Sequence, residues 1–479
     1  MTLSTFKQRM FPRSTVIALA VLATGCASFK PLPPQSGVET PAAWSMAGEQ
    51  SAVNTVAWPA ADWWRSFGSA ELDRLIMRAR VSNPDLGAAY QRILQARAQA
   101  KIVGATLYPQ LDLGADAARQ GVISASGSNS FALSLGASYE VDLWGRNHAD
   151  RTAARAQVEA SEFNRATVAL TLTAGVANSY LQVLSLRQRL AIAQQNLKLA
   201  EDVLAVVEAR ARYGSASPLE LAQQRAAVAT QRITLPVLEQ QEREARATLA
   251  VLLGVPAQGF DVQAQGLDGL LLPQAEVGLP SELLQRRPDI RSAEMQLIVA
   301  QADIAIARAA MFPSLRLNGS LATRGDSLSA LFSQDPAYSI AAALTMPIFN
   351  AGRLAAARDV AKARHEELLL NYRSAILAAL SDVDVVISNL DALEKRARWQ
   401  FEARQQAEIA LELAKVRYQA GATDLLTVLD AQRTLYQARD QEAQLHVLRL
   451  QAVVELYRAL GGGWSESARD SDSDSELNS

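Results

Sequence analysis

The sequence predicts a mainly α-helical chain with a transmembrane β-barrel, built from one unit of short helix, strand hairpin and long helix pair that occurs twice. Three observations predict it: an internal duplication, two pairs of strictly alternating segments, and helical runs too long for a globule. The duplication is legible in landmarks. Asn83-Pro84-Asp85-Leu86 recurs as Arg287-Pro288-Asp289-Ile290, and Tyr108-Pro109-Gln110-Leu111 as Phe312-Pro313-Ser314-Leu315, both at a spacing of 204 (288 − 84 and 313 − 109). Gly145-Arg146 recurs as Gly352-Arg353, and Leu253-Gly254 as Leu460-Gly461 at a spacing of 207 (461 − 254). Two copies of one supersecondary unit imply pseudo-symmetry, which in a long helical protein suggests a ring or tube.

Each half holds a pair of segments with period-two alternation. Leu111, Leu113, Ala115 and Ala117 alternate with Asp112, Gly114, Asp116 and Ala118, and Phe131, Leu133, Leu135, Ala137, Tyr139 and Val141 alternate with smaller or polar residues. In the second half Leu315, Leu317, Gly319 and Leu321 are followed by Tyr338, Ile340, Ala342, Leu344 and Met346. Such alternation means strands with one apolar and one polar face. Gly-, Ser- and Asp-rich stretches at 121–130 and 325–336 read as the hairpin loops. The segments are about as long as the roughly nine to eleven residues a tilted strand needs to cross a bilayer. A half-buried soluble sheet fits locally, but helix-forming sequence flanks each hairpin and no other strands are available to cover it. Four strands cannot close a membrane barrel, and open edges are not tolerated in hydrocarbon. Several chains must then share one barrel, and three would give twelve strands.

The helices follow from what the sequence omits. Between Arg146 and Tyr213 there is no proline and one glycine, Gly175, in a stretch rich in Ala, Leu, Gln, Glu and Arg. As one helix it would run roughly 100 Å. Val176, Val183, Leu190, Leu197 and Leu204 recur every seven residues, accompanied by Leu186, Ala193, Ala200 and Val207, which is a coiled-coil seam. A turn at 214–218 leads to a returning helix at 219–253, in which Pro236 predicts a kink. The second half repeats this plan at 353–418, a turn around Gly421, and 424–460. Shorter helices at 84–106 and 288–311 precede the hairpins. Abundant alanine suits helices that pack on both flanks, as a wall of helices requires.

The ends carry their own signals. Lys7, Arg9 and Arg13, the apolar run 16–22 and the small residues Ala23-Thr24-Gly25 before Cys26 form a secretory signal, too short in its apolar part to span a bilayer. A signal ending in Gly25-Cys26 resembles a bacterial lipoprotein box, which implies a covalent lipid on Cys26; Ala27 follows, not the aspartate that favours inner-membrane retention. Cys26 is the only cysteine, so no intrachain disulfide is possible. The chain divides into a signal peptide at 1–25, a lipid-anchored extended strap at 26–60, a first repeat at 61–256 with its hairpin at 111–142, a linker at 257–279, a second repeat at 280–464 with its hairpin at 315–347, and an acidic tail at 465–479 expected to be disordered.

A net charge of −2 with no concentrated basic stretch argues against nucleic acid as a partner. His148, His365 and His446 lie in separate helical stretches without metal-ligand spacing, and no phosphate loop or nucleophile motif occurs, so the sequence does not read as an enzyme and no cofactor is expected.

Taken together, Trp63-Trp64 with Phe67, the doubled Pro-Asp and aromatic-Pro landmarks, Asp142-Leu143-Trp144-Gly145-Arg146, Pro347-Ile348-Phe349 with Gly352-Arg353, Arg417-Tyr418-Gln419-Ala420-Gly421, Leu426-Thr427-Val428-Leu429-Asp430-Ala431-Gln432 and Leu460-Gly461-Gly462-Gly463-Trp464 resemble the TolC-type outer-membrane efflux channels, in the lipoprotein branch that serves tripartite drug pumps. The resemblance implies a homotrimer whose twelve-stranded outer-membrane barrel continues into a periplasmic helical barrel, with a periplasmic adaptor and an inner-membrane pump as partners. It implies a closed periplasmic tip at the helix turns, with Leu426 as an apolar constriction and Asp430 as a ring of carboxylates just inside it. Thr427 stands where some members carry a second aspartate. Tyr418 and Glu220 match positions that latch neighbouring tip helices, with Gly421 in the turn beside them. Since Arg212-Tyr213 directly precedes Gly214 whereas Arg417-Tyr418 lies three residues before Gly421, the first turn reads as the shorter one. Two other functions fit the pattern less well: an exit channel for type I protein secretion, and a structural or adaptor lipoprotein that does not conduct.

Overall fold

The computed structural model describes residues 29–33, 35–45, 59–123, 126–273, 278–462 and 464; the signal peptide, Cys26 and the acidic tail lie outside them. A 3-10 turn at Trp63–Phe67 leads to α1 (Ala70–Ser82) and α2 (Pro84–Ala105), then β1 (Gln110–Gln120), β2 (Ser128–Val141), α3 (Arg146–Arg212) and α4 (Pro218–Leu252). The second repeat supplies α5 (Pro280–Arg286), α6 (Pro288–Ala309), β3 (Ser314–Gly325), β4 (Ala337–Thr345), α7 (Arg353–Gln419) and α8 (Leu425–Ala459). The duplication is kept to the residue in its helices: α2 and α6 have 22 residues each, α3 and α7 have 67, and α4 and α8 have 35. The shift in spacing from 204 to 207 falls within the hairpins, whose loops run 121–127 and 326–336.

The chain forms two compact units, each drawing on both repeats. The first combines the segment up to Gly37 with Gln91–Glu162 and Ser292–Arg373; the second combines Val38–Tyr90, Phe163–Arg291 and the chain from Ser374 onward.

In the first unit the two predicted hairpins join into one antiparallel sheet of order β1-β2-β3-β4. Its register puts like against like. Leu113 faces Leu135, Leu135 faces Leu321, Leu321 faces Tyr338, and one row further Leu111, Ala137, Gly319 and Ile340 line up. Every apolar residue of the alternation therefore falls on one face, and Asp112, Ser134, Asn318, Ser320 and Ser339 fall on the other. Slipping any strand by one residue would turn its apolar set over, so the pattern itself fixes the pairing. That apolar face is bare: Leu113 is 72% exposed, Tyr338 80% and Ile340 87%. A soluble sheet would cover such a face. Among the described residues, both outer strands, β1 and β4, also leave one edge unpaired.

The second unit holds the largest core, where Trp63, Trp64 and Phe67 pack with Leu72 and Ile76 of α1, Tyr180, Leu181 and Leu184 of α3, and Leu450 and Val454 of α8. Trp63 lies 5.0 Å from the Tyr457 ring. The heptad seam of α3 is buried along Leu186, Ala193, Ala200 and Val207, while Leu190, Leu197 and Leu204 are only half-buried, so the accompanying series is the true contact line. The α3 helix is also apolar enough over one window to pass as a membrane span, yet half of that window is buried within the protein. α4 continues as helix through Pro236. Both repeats end alike: Gly254 and Gly461 adopt φ of +66° and +91°, and a Cβ on either would collide with a carbonyl oxygen, of Ser82 and of Arg286 respectively. Only glycine fits there. Helices α1 and α5 were not read from the sequence, since each is short and sits in a stretch where loop and helix signals mix.

Candidate functional site at the paired helix turns

The turns 213–217 and 420–424 each reverse a 67-residue helix into a 35-residue one. Sequence reading made the first turn shorter. In the structure the two have equal length, because Gly214 pairs with Gly421 and Arg210, not Arg212, pairs with Arg417 (417 − 210 = 207). Both glycines sit at φ +72°. Gly214 N–H donates to Ala211 O at 3.1 Å and Ser215 N–H to Arg210 O at 2.8 Å; Gly421 N–H donates to Tyr418 O at 3.0 Å and Ala422 N–H to Arg417 O at 2.8 Å. These are left-handed glycine caps that satisfy the last helix carbonyls.

The returning helices start differently. α4 opens on a capping box, in which Ser217 Oγ accepts from Glu220 N–H at 3.2 Å and Ser217 N–H donates to Glu220 Oε2 at 2.7 Å. α8 opens on Asp424, whose Oδ1 accepts from Thr427 N–H at 3.1 Å and from the Thr427 hydroxyl at 2.7 Å. The hydroxyl, then the amide, hold the Asp424 carboxyl below the usual carboxylate range.

The two turns are tied together by three predicted or unpredicted residues. Tyr418 is 2% exposed, in a cluster with Val207, Leu411, Leu425, Val428 and Leu435. The Arg210 guanidinium lies 4.5 Å over its ring and donates from Nη1 to its carbonyl oxygen at 2.7 Å and from Nη2 to Ser215 O at 3.3 Å. Tyr418 Oη donates to Glu220 Oε1 at 3.5 Å. Burial, then the nearby Glu220 carboxylate, raise the Tyr418 pKa, so the phenol stays neutral and donates. Tyr418 and Glu220 are thus brought together across the turns of one chain. Arg210, Ser217 and Asp424 were missed; the spacing of 207 leads from Arg417 to Arg210, and it relates Ser217 and Asp424 as the two N-caps.

On α8, Leu425 and Val428 point into this cluster, whereas Leu426, at 61% exposed, and Thr427 and Asp430 point away from it. Leu426 and Asp430 are four apart and so share one outward strip of the helix. Asp430 Oδ1 accepts from Arg433 Nη2 in an exposed pair, and exposed pairs contribute little to stability. What this strip offers is an exposed apolar side chain and an exposed carboxylate one helical turn apart.

The histidines lie apart. His148 bonds to Asp142, His365 neighbours Glu366, and burial, then Arg449, lower the pKa of His446. Among the described residues no three His, Cys, Asp or Glu gather as a metal site.

Known proteins match this architecture along most of its length. The chain is 47% identical over 463 residues to the pyoverdine export outer membrane protein OpmQ of Pseudomonas aeruginosa, covering 94% of this chain and 96% of that one. It is 30% identical over 470 residues to the probable outer membrane lipoprotein SilC of Salmonella typhimurium, covering 96% and 100%. The solved open-state MtrE outer membrane channel of Neisseria gonorrhoeae superposes with a TM-score of 0.81 at 31% identity, over 91% of this chain and 98% of that one. The family model described as outer membrane efflux protein matches residues 75–255 and 279–462, one segment in each repeat, so the chain belongs to the outer membrane efflux protein family and acts in efflux at the outer membrane.

Proposed function

We propose that the protein is the homotrimeric exit duct of a tripartite efflux system, receiving small molecules from an inner-membrane pump through a periplasmic adaptor and passing them outward without chemistry of its own. The observation that carries this reading is the bare apolar face of a four-stranded sheet with two open edges. Such a sheet is viable in hydrocarbon only when closed, and three copies supply the twelve strands of a barrel. Likeness to OpmQ, a pyoverdine export protein by its name, extends the reading to a cargo of the pyoverdine kind. Cys26, outside the described residues, carries the lipid anchor.

The turns 213–217 and 420–424 form the periplasmic tip. There the outward Leu426 of three copies makes a ring that resists hydration and Asp430 a ring that favours cations, while Tyr418, Glu220 and Gly421 belong to the latch. The scattered histidines and the missing nucleophile pattern support a passive role.

Single-channel conductance in a planar bilayer tests the reading. Wild type gives a small, cation-favouring conductance, and the Leu426→Ala, Asp430→Ala double variant a larger and less selective one. Absence of conductance from both, with insertion confirmed, would overturn the duct.

A further inference from the structure

Aromatic side chains border the sheet. Tyr108 precedes β1, Trp144 follows β2, Phe312 precedes β3 and Phe349 follows β4, so each strand is marked at its helix-side end, and all four rings are exposed. Trp144 stacks on Phe312 at 4.7 Å, and its indole N–H donates to Pro313 O at 2.7 Å. Amphipathic rings collect where hydrocarbon gives way to headgroups. With the apolar sheet face in the bilayer, this border therefore lies near phosphate depth.

Beside Tyr108 a groove of about 510 Å³ opens between α2 and α3. Arg97, Lys101, Arg151 and Arg155 line it, and Gly104 keeps part of its floor low. Arg97 is engaged by Glu162 at 3.0 Å, whereas Lys101, Arg151 and Arg155 have no ion-pair partner among the described residues. The duplication provides an internal control. At the corresponding places the second repeat has Gln301, Ala305, Arg358 and Lys362, and Arg308 stands where Gly104 leaves room. Gln301 there is engaged by the Leu32 backbone, and Arg358 by Asp359. Cations without partners, room and an adjoining lipid-facing border coincide in the first repeat alone.

We propose that the α2–α3 groove binds the phosphate of an anionic phospholipid in the inner leaflet of the outer membrane, with Lys101, Arg151 and Arg155 on the phosphate and the small apolar floor against the glycerol and upper acyl chains. This rests on the reading that the sheet lies in the bilayer. A polybasic site at headgroup depth recognises anionic lipid by charge, and three cations lining one groove concentrate that charge where scattered surface cations would not.

The test reconstitutes the full-length protein in nanodiscs of phosphatidylcholine with a minority of phosphatidylglycerol, and counts retained lipids by native mass spectrometry. Wild type retains phosphatidylglycerol in preference to phosphatidylcholine. The Lys101→Gln, Arg151→Gln, Arg155→Gln variant loses that preference by on the order of 100-fold, as expected for three interfacial cations. Gly104→Phe fills the groove with every charge kept; a Cβ at Gly104 meets nothing within 4 Å, so the chain accommodates it, and retention falls here too. The control pair Arg358→Gln, Lys362→Gln leaves retention as in wild type. Unchanged retention in the triple variant overturns the proposal, and so does displacement by inorganic phosphate as effective as by added phosphatidylglycerol, which would make the site one for a free anion. Failure to enter nanodiscs at all would instead sink the membrane reading beneath it.

Discussion

Turn 213–217 and turn 420–424 close helices of the same length with the same left-handed glycine, yet the first starts its returning helix on Ser217 and Glu220 and the second on Asp424 and Thr427. The side chains around them differ further. Tyr418 is buried under Arg210, whereas its counterpart in the first repeat is Ala211, and the counterpart of Arg210 is the exposed Arg417. Duplication has preserved the backbone that reverses the chain and released the side chains that connect one turn to the other. In the proposed reading each chain therefore carries one latch at its tip, running from Arg210 and Glu220 of the first repeat to Tyr418 of the second.

The largest expected effect breaks that latch. Tyr418→Ala empties a buried aromatic site, a loss of about 3–5 kcal/mol in local stability, and the variant should show faster proteolysis at 420–424 and a raised single-channel conductance. Arg417→Ala, at the place corresponding to Arg210, should change neither. Equal responses from the two would mean that the tip is symmetric after all. A smaller effect sharpens the comparison: alanine at Gly214 or at Gly421 forces a side chain into the same left-handed conformation at about 1–2 kcal/mol. The two substitutions should lower thermal stability alike, while Gly421→Ala alone increases conductance, since Gly421 N–H donates to the carbonyl oxygen of Tyr418.

Much of this was legible in the chain. Alternation gave the strand faces and landmark spacing gave the repeat, because both are periodic signals that survive substitution; the sheet then paired Leu113, Leu135, Leu321 and Tyr338 in one row. The joining of β2 to β3 was less visible, as it links residues of different repeats and leaves no local mark. Sequence reading erred at the tip by aligning Arg-Tyr pairs across the repeats. Arg212-Tyr213 and Arg417-Tyr418 look alike as letters, but a residue's place relative to the glycine cap decides which side of the helix it occupies, and by that measure Arg210 holds the position that matters. Arg433 beside Asp430 was unread because an acid and a base three apart are common on any exposed helix. The groove cations Lys101, Arg151 and Arg155 were equally silent, being separated in sequence and gathered only by packing of α2 on α3.

The smallest effect concerns the caps and separates them by pH. Ser217→Ala should cost about 1 kcal/mol at any pH at which the fold persists, since a hydroxyl does not titrate. Asp424 differs, because hydrogen bonds from Thr427 hold its carboxyl below the ordinary range. A depressed folded pKa means that the ionised cap stabilises the folded tip above the unfolded value near 4, and that this contribution fades as pH falls through the lower, folded value. Pepsin cleavage near 424, followed from about pH 5 down to about pH 2, should accelerate in wild type beyond what pepsin's own pH dependence gives on an unfolded peptide of the same sequence. In Asp424→Asn, which keeps a capping carbonyl but cannot ionise, that additional acceleration should vanish. If both variants and wild type soften identically with acid, the pH sensitivity belongs to another carboxylate, and the chemical contrast between the two turns is confined to the latch.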